Sequence, residues 1–130
     1  MEHPNAALVR RLYEARGRND EDAIRTILSG DVLWHEPDVG GEHTGDLSGP
    51  DAVLAMMRDA RERTGGTFRL RPREIVANGE HSVALVEWSA EREGRTLEGR
   101  EVAVYRVRNG KIVEAHFHQD DQALDRQFWE

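Results

Sequence analysis

The feature that most constrains this chain is a change of hydrophobic period near its middle. Before Gly65-Gly66 the apolar residues recur at helical spacing, and after it they recur at strand spacing. Leu8 and Leu12, then Val9 and Tyr13, fall at i, i+4 after His3-Pro4-Asn5, which predicts an amphipathic helix stopping near Gly17. Asn19 or Asp20 can cap a second, short helix with Ile24, Ile27 and Leu28 as its buried stripe, ended by Gly30-Asp31. "VLWHEP" then reads as a short strand running into a glycine-rich loop. Ser48-Gly49-Pro50 opens a third helix, with Val53, Met57 and Ala60 on one face.

In the second half, Phe68, Leu70 and Val76 belong to one strand, and Val83, Leu85 and Val86 to the next. Leu97, Val102, Val104, Tyr105 and Val107 make a third, and Ile112, Val113 and Phe117 a fourth. Asn78-Gly79, Glu93-Gly94 and Asn109-Gly110 fall between them, the dipeptides that favour tight hairpins. The tail "DDQALDRQFW" reads as a terminal helix with Leu124 and Phe128 at i, i+4. The expected fold is α+β: a cone-shaped, barrel-like curved antiparallel sheet wrapped around three N-terminal helices, with a short C-terminal helix. One domain over residues 1–130 is expected, with a cavity at the open end of the cone.

Composition excludes several function classes. The net charge of −7, with basic residues mixed among the acids, argues against a nucleic-acid footprint. No apolar run approaches the roughly 18 residues of a membrane span, and "MEHPNAALVRR" lacks the basic-then-apolar pattern of a signal peptide. A cytoplasmic, bacterial-type protein is therefore expected. Without cysteine there is no disulfide, thiolate nucleophile or zinc–thiolate site.

The order of elements, with "RRLYEARGRNDEDAIRTIL", "DVLWHEP", "LSGPDAVLAMM", "GGTFRL" and "VYRVRNGKIVEAHFHQDDQALDRQFW", resembles the nuclear transport factor 2-like superfamily. The resemblance is to its SnoaL-like polyketide cyclases and ketosteroid isomerases in particular. It implies a homodimer through the outer face of the sheet and a small, largely apolar organic ligand. Laid on the isomerase pattern from Asp20 to Pro37, Glu36 takes the place of the aspartate base. Two partners depart from that pattern. Tyr13 falls one residue from the family tyrosine, a rotation of about 100° on a helix, and the family's protonated acid falls near Ala103.

The residues themselves add candidates. Strand alternation puts Val32, Trp34 and Glu36 on one face, so Glu36 would stand at the cavity rim, where burial raises a carboxyl toward the range of a general base. Glu101 is the one charge on the face shared by Leu97, Gly99, Ala103, Tyr105 and Val107; it reads as a functional carboxyl or an ion-paired core residue. His116 and His118 share a strand face and would line the cavity beside Ile112, or else lie on the outer face of the sheet. Asp121 is a further acid/base candidate, and equally a helix cap, as is Asp120. Tyr13, Trp34, Met57, Trp88 and Tyr105 are candidates for ligand contact and equally for the core. Three functions follow. The first is a cofactor-free isomerase or cyclase with Glu36 as base and His116, His118 or Glu101 as acid. The second is a non-catalytic ligand-binding or dimerisation domain, and the third a metal site on His116 and His118. The first two call for no metal or cofactor.

Overall fold

The computed structural model describes residues 2–37 and 43–130; the Gly40-Gly41 pair of the glycine-rich loop lies outside the described residues. The elements run α1 (Pro4–Arg18), α2 (Glu21–Ile27), β1 (Leu28–His35), β2 (Asp46–Ser48), α3 (Pro50–Arg63), β3 (Arg69–Ala77), β4 (His81–Arg92), β5 (Arg95–Arg108), β6 (Lys111–Gln119) and α4 (Gln122–Trp129). In α1 the stripe Leu8, Val9, Leu12, Tyr13 is buried. Its end is set by Asn19 rather than Gly17: Asn19 adopts a left-handed φ of 56°, a conformation that Asn tolerates well. Asp20 caps α2 by accepting from the Ala23 amide. Leu28 opens β1, so the chain enters the sheet earlier than Gly30-Asp31 suggested. On α3 the buried face is Val53, Leu54 and Met56, with Met57 half-buried beside it.

The strands form one curved, unclosed sheet in the order β2-β1-β6-β5-β4-β3. It is mixed rather than wholly antiparallel, because β1 lies parallel to β6. The β4–β5 and β5–β6 hairpins turn on Glu93-Gly94 and Asn109-Gly110, all four with positive φ, the geometry that matches strand twist in a two-residue turn. Helix α1 packs on β3 and β4, α3 on β1 and β2, and α4 on β5. No helix among the described residues is long and apolar enough to cross a membrane.

Two bulges decide which residues face the helices. In β6, Val107 pairs with Ile112 but Arg106 pairs with Glu114, leaving Val113 as an extra residue. The inward set therefore changes from Ile112 to Ala115, Phe117 and Gln119. His116 and His118 turn outward and are exposed, which corrects the expectation that they line the cavity beside Ile112. On β3 the same thing happens at Arg73: Pro72 pairs with Val86 and Glu74 with Leu85. Ile75 then packs on the core while Val76 is exposed. Pro72 is tolerated because β3 is an edge strand.

The main core joins α1, α2, α3 and the inner sheet face around Trp34, Tyr105 and Leu12, all fully buried. At its centre the Tyr13 and Tyr105 hydroxyls meet at 2.7 Å. A smaller cluster of Trp88, Ala90 and Phe128, with Phe68 and Trp129 against it, docks α4 over the open end of the sheet. Asp125 and Phe128, not Leu124, are the buried residues of α4. Three arginines hold its C-terminal carbonyls: Arg63 donates to Trp129 O, Arg92 to Phe128 O and Glu130 O, and Arg95 to Gln127 O. Cations suit that end of a helix dipole.

Candidate active site

Between the sheet, α3 and α4 lies a cavity of about 90 Å³, well above the roughly 10–15 Å³ that one water requires. Its apolar wall is aromatic, with Phe68, Trp88, Phe117 and Trp129 joined by Met56 and Leu70. Its polar groups include Glu36, Glu101, Gln119, Asp125 and Arg16, with the Asp59–Arg63 ion pair at 3.8 Å and with His43 and Thr44 also in the lining. A second cleft of about 160 Å³ shares Arg16, Phe68 and Leu70 with it.

The three tryptophans of the chain each aim an indole N–H at this polar set. Trp34 Nε1 donates to Glu36 Oε1 at 2.7 Å. Trp129 Nε1 donates to Asp125 Oδ1 at 3.0 Å. Trp88 Nε1 donates to Gln119 Oε1 at 3.0 Å, and Gln119 Nε2 donates in turn to Glu101 Oε1 at 2.6 Å. The backbone explains these meetings. Trp34 on β1 and Glu36 just past its end are two residues apart, Glu101 and Gln119 are directly paired across β5 and β6, and Asp125 and Trp129 are one turn apart on α4.

Burial sets the electrostatics. It pushes the Glu36 carboxyl above its ordinary range, against the opposing pull of the Trp34 N–H and of Arg16. Burial, and next the Glu36 charge, push Glu101 up to about 8. Asp125 is raised to about 6, again mainly by burial. Two like carboxyls in one enclosed space cannot both ionise freely. At neutral pH the Glu36–Glu101 pair therefore retains a proton, with Gln119 leaving Glu101 Oε2 free to carry it.

Of the residues expected from sequence, Glu36, Glu101 and Trp88 line this cavity together. Trp34 is fully buried behind it and reaches it through its N–H. Tyr13 and Tyr105 belong to the core, where burial keeps both hydroxyls protonated. Tyr13 and Met57 line the second cleft, and Met56 takes the place expected for Met57. His116 and His118 are on the far side of the sheet. Asp121 is exposed and caps α4, accepting from the Leu124 amide at 3.0 Å, while Asp120 pairs with Arg100. The ring of His116 stacks on that of His35 at 4.3 Å. Arg16, Gln119 and Asp125 were not anticipated. Gln119 was hidden by the β6 bulge, and Asp125 by choosing Leu124 and Phe128 as the buried pair. Asp125 and Trp129 at i, i+4 were the available signal.

A SnoaL-like domain model matches residues 9–115. The chain belongs to the SnoaL-like family. An uncharacterised protein of Mycobacterium tuberculosis is 30% identical over 125 residues, covering 94% of this chain and 93% of that one. Bal32a, from a soil-derived mobile gene cassette, superimposes with a TM-score of 0.91 at 26% identity, covering 98% of this chain and 97% of that one. An NTF2-like protein of unknown function from Burkholderia pseudomallei has a TM-score of 0.85 at 30% identity, with 97% of each chain covered. This member of the SnoaL-like family thus keeps the NTF2-like cone.

Proposed function

We propose that this SnoaL-like protein binds a small, largely apolar and flat organic molecule and moves a proton next to its carbonyl without a cofactor, in an isomerisation or an aldol-type cyclisation. One observation carries the reading: two buried carboxyls, Glu36 and Glu101, line the same cavity, and burial raises both above the ordinary carboxyl range. Glu36, held by the Trp34 N–H, acts as the base. Glu101 Oε2–H donates to the carbonyl oxygen as charge develops on it, a role a carboxylic acid performs only when its environment keeps it neutral. Glu101 stands two residues from Ala103 on the same strand face, so it offers the donor that the isomerase pattern calls for and that this chain lacks at Ala103. Phe68, Trp88, Phe117 and Trp129 supply faces for a planar ligand.

A pure binding module would have no need of buried carboxyls, whose desolvation costs stability. Pairing of two copies through the outer face of the sheet belongs to the same proposal. Leu33, Leu85 and Val102 remain 43%, 42% and 39% exposed there, an apolar surface that a second copy would cover.

The test is deuterium incorporation from D2O at the carbon next to the carbonyl of cyclic and aromatic ketones, followed by NMR. Wild type is expected to exchange that position. Glu36→Gln is expected to lose the exchange while keeping its fold and ketone affinity. Equal exchange in that variant removes the reading.

A further inference from the structure

The outer face of the sheet, behind the cavity, carries a second constellation. Asp46 on β2, His35 on β1 and His116 on β6 lie in one row across three strands, through the pairings His35↔Asp46 and His35↔His116. Glu114 joins them from the same face of β6, a placement that depends on the bulge at Val113. His35 Nδ1 lies 2.8 Å from Asp46 Oδ1, and His35 Nε2 lies 2.8 Å from Glu114 Oε2. His116 Nε2 is 3.6 Å from that same Glu114 oxygen.

A neutral imidazole carries one N–H. With that proton given to Asp46, the Nε2 lone pair of His35 faces the Glu114 carboxylate, an arrangement that needs a cation between them. A proton would suffice for His35 alone. It leaves unexplained why a second imidazole, stacked on the first at 4.3 Å and inclined by 18°, is aimed at the same oxygen. Two imidazolium rings at that spacing repel, whereas one metal ion accepts both rings neutral.

We propose that His35 Nε2, His116 Nε2 and Glu114 Oε2 bind a divalent transition-metal ion of the zinc class, with Asp46 orienting His35 from behind. The three donor atoms lie within 4.8 Å of one another. Donors held 2.0–2.1 Å from a tetrahedral ion stand roughly 3.3 Å apart, and the 2.8 and 3.6 Å separations bracket that value. Two nitrogens and one oxygen suit zinc, cobalt, nickel or copper rather than magnesium or calcium. Asp46–His35–metal reproduces the carboxylate–histidine relay that fixes a ligand's tautomer. Arg106 lies 4.0 Å from the other Glu114 oxygen and leaves Oε2 to the ion. An ion there would tie β2, β1 and β6 together one residue before Glu36. The site stands apart from the cavity chemistry and does not rest on it.

The test uses untagged, chelator-stripped protein titrated with zinc chloride by calorimetry at neutral pH, and with cobalt(II) by visible absorption. One ion per chain at micromolar affinity or tighter is expected, with the intense cobalt bands of a low-coordinate site. His116→Ala and Glu114→Gln are expected to weaken zinc at least tenfold and abolish those bands. Asp46→Asn is expected to weaken zinc about 10–100-fold, and His118→Ala to leave it unchanged. The proposal is overturned by substoichiometric zinc or by His116→Ala binding as wild type does, which would leave a protonated His35 as the whole explanation. Equal weakening by His118→Ala overturns it too, since that marks diffuse adsorption on surface histidines.

Discussion

Replacing Gly99 by alanine tests whether the cavity wall is built as described. Gly99 pairs directly with Trp88 across β4 and β5. A Cβ at Gly99 would lie 2.4 Å from Trp88 Cε2 and Nε1 and 2.7 Å from Cζ2. Carbon atoms in contact sit about 3.5–4.0 Å apart, so something must retreat by roughly 1 Å. Gly99 sits in the β4–β5 ladder and the neighbouring Arg100 carbonyl accepts from the Asp120 amide, which leaves the indole rather than the backbone to yield. Its retreat breaks the Trp88 bond to Gln119 and loosens the amide that holds Glu101. Overpacking of this kind costs about 1–3 kcal/mol. At about 2.1 cal/mol/K of unfolding entropy per residue, a chain of 130 residues loses about 7 °C of Tm for 2 kcal/mol. Scanning calorimetry measures the shift, and tryptophan fluorescence reports the altered indole. In a Trp88→Ala background the three nearest atoms are gone, so the same substitution is expected to cost much less. A Gly99→Ala protein that melts with wild type, or an equal cost in both backgrounds, refutes the account of Trp88 lying over Gly99.

Three further expectations follow from the same geometry. Glu101 binds its proton more tightly folded than unfolded, so wild-type stability should fall as pH rises from about 4.5 to about 8; Glu101→Gln should flatten that slope in a Tm–pH series. Tyr13→Phe strands the buried Tyr105 hydroxyl, at a cost of about 1–2 kcal/mol. Tyr13→Phe with Tyr105→Phe should recover most of that cost in urea unfolding. Arg92→Ala frees two carbonyls at the end of α4, at about 1.5 kcal/mol. Amide exchange in the residues of α4 should then speed roughly tenfold, with the rest of the sheet unchanged.

The cone and its cavity were legible because they rest on local chemistry. Helical period, capping residues and paired turn dipeptides act over a few residues each, and they named α1, α2, α3, α4 and the meander. Glu36 was legible for the same reason: Val32, Trp34 and Glu36 keep strict alternation to one residue past the end of β1. The outward turn of His116 and His118 was not legible. One extra residue at Val113 reverses every side chain after it, and nothing in "KIVEAHFHQ" marks where the ladder will slip. β2 was missed because three residues carry too little pattern to separate from a loop.

The amino-acid sequence by itself determined the elements other than β2, their order, the inward face of β5 and the carboxyl–proline pair that follows β1. Only the tertiary structure decided which groups share a space. It joined Glu36 to Glu101, set Gln119 between Glu101 and Trp88, brought Asp125 in on α4, and set His35 against His116. These meetings depend on pairings between segments far apart in the chain and on two single-residue bulges. Burial, which raises the cavity carboxyls, likewise exists only once the sheet has curled and α4 has docked over its open end.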